Sequence, residues 1–366
     1  MNINIFNKPK FAVIGAGHGG MAMAGHLSLM GFEVNLFNRS KERLWGVKST
    51  GGIEVEGEVE GFGKINLASD DIKEVIEGVD IIMVVLPASG HRYIAEIIHP
   101  HLVNDQIVVL NPGRTFGAIE FQQVLRKNNC QADVIIAEAQ TFIYASRAIG
   151  PCQAKIFKIK NSIPVASIRA YKIPEVLKKL RVAFPQFVAG DNVFKTSFDN
   201  IGAVFHPVVS MMNAGWIEDV AEFQFYCQGI TESVAKVLDK VDEERVQVAE
   251  ALGIRANTAK DWLYLAYGIS GKTLYHSIHA NPGYVGIMAP RNLDIRYITE
   301  DVPMSLVPIA SIGEKFGVPV PTIKSLIHIA SVIHDCDYWK IGRNVENLDL
   351  AEMSLKELRL LAIGEK

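Results

Sequence analysis

Cysteine is scarce in this sequence, and its few positions are not grouped. The chain has four cysteines among 366 residues, and no two of them form a CxxC pair. Structural zinc sites and the disulfide frameworks of small secreted domains both need closely spaced cysteines. We therefore predict no metal site and no disulfide framework, and we take a reducing cytoplasm as the expected location.

Two further absences narrow the function. Lysine and arginine number 37 against 40 acidic residues, so the formal net charge is -3 and the basic excess of a nucleic-acid-binding protein is missing. No apolar run reaches the length of a membrane span, and residues 1–10 lack the apolar core of a signal peptide. We expect neither a nucleic-acid partner nor a membrane partner. A hydrophobic content of 49% is typical of a compact enzyme.

The first half of the chain alternates short apolar runs with helical stretches. Runs with strand character occur at residues 11–15, 33–37, 80–86, 106–110 and 134–137. Continuous apolar runs of this length are typical of strands buried on both faces of a parallel sheet. The alternation predicts an α/β doubly wound sheet, which binds ligands beyond the carboxyl ends of its strands. Residues 154–158 and 163–167 are expected to form an antiparallel pair with each other.

The second half loses this alternation and shows helical periodicity instead. Helices are predicted at residues 230–252, 259–267, 306–316, 321–333 and 355–363. We therefore predict two domains, residues 1–190 with the parallel sheet and residues 191–366 with a mostly α-helical fold.

A glycine-rich turn follows the first predicted strand and opens a helix. It reads Gly15-Ala16-Gly17-His18-Gly19-Gly20. In this setting Gly15 permits the tight turn, Gly17 lets the backbone approach a pyrophosphate, and Gly20 allows close packing of helix on strand. The pattern predicts a Rossmann-type dinucleotide-binding domain, in which His18 and Pro87, at the end of the third strand, also line the cofactor. The alternative is a glycine-rich turn that binds nothing.

The end of the second strand bears on cofactor choice. NAD-binding domains carry an acidic residue there for the ribose 2′-hydroxyl, whereas an arginine accommodates the 2′-phosphate of NADP. This chain has Asn38-Arg39-Ser40 and no carboxylate. The sequence therefore favours NADP(H). The alternative is that Arg39 stacks on adenine or faces solvent, which would leave NAD(H) usable.

Two residues outside the glycine turn have two interpretations each. Arg114 follows the fourth strand and suits a substrate carboxylate, but a surface salt bridge explains it as well. His206 lies in an apolar setting beside Pro207, where a satisfied core histidine is commoner than a catalyst. Neither residue fixes a function from its surroundings alone.

Several longer motifs in the second half are more restrictive. They are His206-Pro-Val-Val, Asn213-Ala-Gly-Trp-Ile-Glu218, Phe225-Tyr-Cys-Gln-Gly-Ile-Thr231, Val241-Asp-Glu-Glu-Arg245, Arg296-Tyr-Ile-Thr-Glu-Asp-Val-Pro303, Leu306-Val-Pro308 and Gly317-Val-Pro-Val-Pro321. With them the chain resembles the octopine/nopaline (opine) dehydrogenases along nearly its whole length. One departure is His18, where members of that family often have asparagine.

The resemblance implies a reaction and a set of roles. Opine dehydrogenases condense the amine of an amino acid with an α-keto acid and reduce the imine with NAD(P)H. The resemblance implies His206 as the general acid/base, Asp301 as its partner and Arg296 as a ligand of a carboxylate. Asn200 is the candidate for a substrate-binding asparagine because it lies near His206. These residue types suit proton transfer near neutral pH and bidentate recognition of a carboxylate.

Two alternatives to an opine dehydrogenase stay open at this point. One is a related two-domain reductase of a single small keto or hydroxy acid, similar to ketopantoate reductase or glycerol-3-phosphate dehydrogenase. The other is a nicotinamide sensor without catalysis, and a structural ion pair is the corresponding alternative for Arg296 and Asp301. A homodimer formed through the helical domain is compatible with each of these readings.

Overall fold

The computed structural model describes residues 8–219 and 221–364. The chain forms two compact units. One comprises the described residues up to Gly113 together with Ala118–Val193 and residues 363–364, and the other comprises Arg114–Gly117 and Phe194–Ala362. Within the described ranges, none of the helices combines the length and hydropathy that a membrane span needs. We expected no signal peptide in residues 1–10. Of these, residues 1–7 lie outside the described part of the chain.

The first unit is built on an eight-stranded sheet that confirms the predicted α/β class. Its strands are β1 (Phe11–Ile14), β2 (Val34–Phe37), β5 (Leu67–Ser69), β6 (Ile81–Val84), β7 (Ile107–Leu110), β8 (Ile135–Ala139), β11 (Ile163–Ser167) and β12 (Phe187–Ala189). The order is β12-β11-β8-β7-β6-β1-β2-β5, and every neighbouring pair is parallel except β8 with β11. The central strands β1, β6 and β7 are buried at every residue, as both faces are covered by other elements.

A smaller second sheet in this unit was not predicted. Its strands are β3 (Gly52–Gly57), β4 (Gly61–Lys64), β9 (Tyr144–Gly150) and β10 (Gln153–Ile159), in the order β4-β3-β10-β9. The expected pairing of residues 154–158 with 163–167 is therefore wrong. β10 pairs with β3 and β9, whereas β11 joins the large sheet beside β8. Burial explains the split, because β10 has exposed and half-exposed positions while β11 is buried at four of its five.

The helices of the first unit connect strands of the large sheet, except α2, which leads from β2 to the small sheet. They are α1 (His18–Leu29), α2 (Trp45–Thr50), α3 (Ile72–Ile76), α4 (His91–Ile98), α5 (Gly117–Lys127) and α6 (Ile173–Leu180). Helix α1 also packs against the small sheet, where a Cβ at Gly25 would lie 2.5 Å from Val55 Cγ2. Glycine at this position therefore permits a close approach of helix and sheet.

The second unit is helical, as predicted. Its helices are α7 (Val193–Phe198), α8 (Gly202–Met212), α9 (Ala214–Ile217), α10 (Glu232–Ala251), α11 (Ala259–Tyr267), α12 (Leu274–His279), α13 (Arg296–Thr299), α14 (Val307–Lys315), α15 (Pro321–Ile333), α16 (Tyr338–Ile341) and α17 (Leu355–Ile363). Side-chain caps fix the starts of several of these helices, including α10 and α11. Thr231 caps α10, and Thr258 with Asp261 forms a capping box on α11.

Candidate functional site

The glycine turn between β1 and α1 has the geometry that its sequence predicts. Gly15 has φ +114°, and a Cβ there would lie 2.4 Å from the carbonyl oxygen of Val85. A Cβ at Gly20 would lie 1.6 Å from the carbonyl oxygen of Gly15, so that position packs backbone on backbone. At Gly17 a Cβ would meet no heavy atom of the described residues within 4 Å, and no described side chain caps α1. The backbone at Gly17 thus faces open space at a helix N-terminus, which fits a bound pyrophosphate.

Asn38, which follows the end of β2, stabilises this turn by a side-chain hydrogen bond. Its side-chain oxygen accepts a hydrogen bond from the amide of Ala16 at 3.0 Å, and its side-chain nitrogen donates to the carbonyl of Ser40 at 3.1 Å. The neighbouring Arg39 is exposed, and its guanidinium carbon lies 5.5 Å from the centre of the Tyr93 ring. The cation therefore rests on an aromatic face at the strand end where the nucleotide ribose is expected.

His18 and Pro87 flank the turn in different ways. His18 is exposed, and its Nδ1 accepts a hydrogen bond from the amide of Ala148 in β9 at 2.9 Å. This bond ties the start of α1 to the small sheet, a contact that the sequence did not indicate. Pro87 is also exposed and precedes a short 3₁₀ helix, Ala88–Gly90, just beyond the carboxyl end of β6.

In the second unit, two residues that are far apart in the sequence form a hydrogen-bonded pair. Nδ1 of His206 lies 2.8 Å from Oδ2 of Asp301, although 95 positions separate them. His206 belongs to α8, and Asp301 directly precedes a π-helical turn, Val302–Leu306, that continues into α14. The Asp301 side chain is fully buried, whereas that of His206 is 19% exposed. Because the carboxylate accepts a hydrogen bond from the Nδ1–H group, the imidazole presents Nε2 for chemistry.

Tyr297 fixes the plane of this imidazole. Its ring stacks on His206 with centroids 4.2 Å apart and an angle of 18° between the planes. The ring of Phe225 packs against Tyr297 with the ring centroids 5.1 Å apart. The next residue, Tyr226, stacks on Tyr284. Burial raises the pKa of Tyr297 and of Tyr226, so both phenols keep their protons well into the alkaline range. The wall beside His206 is therefore aromatic and uncharged.

Arg114 lies in the second unit and pairs with buried carboxylates. Its Nε is 3.1 Å from Oε1 of Glu300, and its Nη1 is 3.1 Å from Oδ1 of Asp301. The side chain is 7% exposed, so the surface salt bridge considered from the sequence is replaced by a buried one. Burial alone lowers the pKa of Arg114, but the charges of Asp301 and Glu300 more than offset it, and the pKa lies above its ordinary value. The guanidinium therefore stays charged.

Arg296 and Asn200 complete the set of predicted residues. Arg296 begins α13 and is 58% exposed, and its Nε lies 3.1 Å from Oε2 of Glu300, four residues further on. Asn200 is buried. Its amide donates to Ser305 Oγ at 2.7 Å and accepts from Nη1 of Arg114 at 3.3 Å. Arg296 thus has an accessible cation, whereas the described contacts of Asn200 are with protein groups.

Glu300 and Tyr297 were not singled out by the sequence. Glu300 is 2% exposed and contacts both Arg114 and Arg296. Its spacing of four from Arg296 is a signal for an ion pair on one helical face, and this signal was available in the motif. The stacking of Tyr297 on His206 had no such signal, because the two residues are brought together only by the packing of α13 against α8.

Comparisons with known proteins identify the family of this chain. The profile described as NAD/NADP octopine/nopaline dehydrogenase, alpha-helical domain, matches residues 189–334. The profile described as NAD binding domain of 6-phosphogluconate dehydrogenase matches residues 10–114. The opine dehydrogenase of Arthrobacter sp. (strain 1C) is 35% identical over 350 residues, which cover 95% of this chain and 97% of that protein.

Solved structures that share the fold include two dehydrogenases with bound cofactor. Octopine dehydrogenase with NADH and L-arginine has a TM-score of 0.80 at 20% identity, covering 98% of each chain. Yersinopine dehydrogenase bound to NADP⁺ has a TM-score of 0.75 at 14% identity, covering 98% of this chain and 99% of that one. Profile, relative and fold agree, and the chain belongs to the opine dehydrogenase family of NAD(P)-dependent oxidoreductases acting on CH–NH bonds.

Proposed function

We propose that this enzyme joins the amine of an amino acid to the carbonyl carbon of an α-keto acid and that His206 is the general acid/base. Condensation releases water and leaves a C=N bond, whose reduction gives a secondary amine carrying two carboxylates. The observation that carries this proposal is the contact of 2.8 Å between His206 Nδ1 and the fully buried Asp301. A bound nicotinamide supplies the hydride that the C=N carbon receives.

His206 has two proton transfers to perform through Nε2. It accepts a proton from the ammonium group of the amino acid, which frees the lone pair that attacks the carbonyl. It then donates a proton when the carbonyl oxygen leaves as water. An imidazole suits both steps, because it changes charge near neutral pH and its orientation is set by Asp301 and Tyr297.

Arg296 is proposed to bind a substrate carboxylate. Its guanidinium is exposed, charged and held at Nε by Glu300, which leaves the Nη groups to form two parallel hydrogen bonds. Arg114 and Asn200 were candidates for the same task. Their contacts with Glu300, Asp301 and Ser305 support a task within the protein instead.

The cofactor is proposed to lie on the glycine turn, with Gly17 closest to its pyrophosphate. Gly17→Ala should weaken NADPH and NADH binding roughly 10-fold or more, because it displaces charge-assisted hydrogen bonds worth about 1.5–3 kcal/mol each. The melting temperature without cofactor should not change, since a Cβ at Gly17 meets nothing among the described residues within 4 Å. Calorimetric titration and differential scanning fluorimetry measure the two quantities.

Gly20→Ala is the matched comparison for that variant. Its Cβ would lie 1.6 Å from the carbonyl oxygen of Gly15, so this change should lower both the melting temperature and the cofactor affinity. If Gly17→Ala bound cofactor as tightly as the wild type, the pyrophosphate would not lie on this turn.

NADP(H) is proposed as the preferred cofactor. The end of β2 offers the guanidinium of Arg39 and the hydroxyl of Ser40, and Asn38 is engaged with the amide of Ala16. Arg39→Asp should shift the ratio of kcat/KM for NADPH over NADH toward NADH by about 10-fold or more, since a charged hydrogen bond to phosphate is lost and a like charge is added. Steady-state assays with both cofactors measure this ratio.

Lys178→Asp in α6 makes the same change of charge on an exposed residue of the first unit. It should leave the ratio unchanged. If the ratio of kcat/KM for NADPH over NADH were unaltered in the Arg39→Asp variant, Arg39 would not contact the ribose 2′-phosphate.

The substrates themselves are open to a direct screen. NADPH and NADH consumption over a matrix of amino acids and α-keto acids should show turnover only where both are present. Turnover with a keto acid alone would support the alternative, a reductase of a single keto acid.

Two broader properties are also proposed. We expect a cytoplasmic location, which suits the four free cysteines. We expect a homodimer formed through the helical unit, and light scattering after size-exclusion chromatography would contradict it by giving the mass of one chain.

A further inference from the structure

One buried carboxylate connects the two halves of the candidate site. Glu300 directs Oε1 toward Nε of Arg114 at 3.1 Å and Oε2 toward Nε of Arg296 at 3.1 Å. Arg114 in turn reaches Oδ1 of Asp301, whose other oxygen receives the His206 hydrogen bond. Contacts therefore run without a gap from Arg296 through Glu300, Arg114 and Asp301 to His206.

We propose that Arg114 and Glu300 are positioning residues with opposite effects on His206. Arg114 lowers the tendency of His206 to hold a second proton, and Glu300 raises it while orienting Arg296. The inference deepens the proposed function and rests on it, because it assigns tasks in the same proton transfer and carboxylate binding.

The charges of the cluster balance when His206 is neutral. Two guanidinium groups, Arg114 and Arg296, face two carboxylates, Glu300 and Asp301. Arg114, Glu300 and Asp301 are 7%, 2% and 0% exposed, so water screens their mutual interaction poorly. Removing Arg114 leaves two carboxylates near His206 with one cation fewer, which favours the imidazolium. Removing the negative charge of Glu300 has the opposite effect and disfavours the imidazolium form of His206.

The start of α8 leaves room for Arg114 beside His206. A Cβ at Gly202 would lie 2.5 Å from Nη1 of Arg114 and 3.4 Å from Cε1 of His206. The guanidinium and the imidazole therefore border the same point on the first turn of α8. A side chain at Gly202 would displace the guanidinium, which shows how closely it is packed at this helix start.

Other charged and titratable groups around His206 do not duplicate this arrangement. Tyr297 and Tyr226 are uncharged, because burial raises the pKa of both. On α10, which packs against α8, Arg245 pairs with Asp242 at 2.6 Å. Glu244 accepts hydrogen bonds from the first amides of α15. On α15, Lys324 pairs with Glu314, and His328 is exposed.

The test measures the ionisation of His206 in the cofactor-free protein. Carbon-13 labelling of histidine Cε1 gives one NMR signal for each histidine, and His206→Asn identifies the signal of His206. In Arg114→Gln the midpoint of its titration should rise by about one pH unit, and in Glu300→Gln it should fall. Arg114→Lys should lie near the wild type, because the charge is kept.

Kinetics give a second, independent readout. Glu300→Gln should raise KM for the substrate whose carboxylate binds Arg296, because Arg296 loses its ion-pair partner. The change in kcat should be smaller, since His206 and Asp301 stay in place. Because the NMR midpoint is measured without turnover, it tests the charge coupling even if the proposed reaction proves wrong. Loss of catalysis in His206 variants tests the reaction separately.

Arg245→Gln is the control for removing a buried, paired arginine of the same unit. It should lower the melting temperature and leave the His206 midpoint in place. If Arg114→Gln does not fold, the midpoints of Arg114→Lys and Glu300→Gln decide the question. The proposal is overturned if Glu300→Gln leaves the midpoint unchanged or raises it, or if Arg114→Gln lowers it.

Discussion

Replacing His206 with asparagine should lower kcat for the joint turnover of amino acid and keto acid by about 10²–10⁴-fold, the usual contribution of a positioned acid/base. Asparagine fills a similar volume beside Tyr297 and can still hydrogen bond to Asp301, so the fold should persist. It carries no group that exchanges a proton near neutral pH. Affinity for NADPH should be unchanged, because the proposed cofactor residues all belong to the first unit. Stopped-flow absorbance and a cofactor titration measure the two effects.

His328→Asn is the control for that prediction. His328 is an exposed residue of α15 in the same unit, and its replacement should leave kcat within error of the wild type. A His206→Asn variant with wild-type kcat would remove His206 from the chemistry, whatever its contact with Asp301.

Asp301→Asn should have an effect of the same order, about 10²–10⁴-fold on kcat. The amide nitrogen of asparagine donates a hydrogen bond where the carboxylate accepts one. His206 Nδ1 must then accept, which moves the ring proton to Nε2 and takes away the lone pair that the proposed base needs. The carboxylate also stabilises the imidazolium, and that stabilisation is lost. The buried Arg114 keeps Glu300 as an ion-pair partner, so the variant should still fold.

Asp239→Asn offers a matched amide substitution on α10 in the same unit. Burial raises the pKa of Asp239, so its neutral form is already favoured relative to an exposed carboxyl group and the variant should be active. If Asp301→Asn lost stability but kept its kcat at every pH, Asp301 would be a structural partner of Arg114 and nothing more.

The parts of the fold that the sequence predicted are those with strong local patterns. The apolar runs of β1, β2, β6, β7 and β8 and the periodicity of α10, α11 and α15 each identify an element without knowledge of its neighbours. The small sheet had no such pattern. Its strands β3 and β10 are nearly 100 residues apart in the chain and are only partly buried, so neither period nor proximity indicated their pairing.

In the candidate site, too, the residues identified from the sequence are those that belong to a recognisable motif. His206, Asp301 and Arg296 were identified through motifs of a resembling family, and the structure brings His206 and Asp301 to 2.8 Å. Their surroundings gave no comparable indication. Arg114 follows β7 at the edge where the cofactor was expected, yet it pairs with Glu300 across 186 positions. Contacts of this range depend on tertiary packing, for which local sequence patterns give no signal.

The most direct test of the proposed reaction follows nitrogen from substrate to product. The enzyme is incubated with ¹⁵N-labelled amino acid, unlabelled α-keto acid and NADPH, and the products are analysed by mass spectrometry. We predict one secondary amine that contains both carbon skeletons and the ¹⁵N atom, formed in equal amount to the NADPH consumed. Consumption of NADPH with formation of a hydroxy acid, and with the ¹⁵N left in the free amino acid, would contradict it.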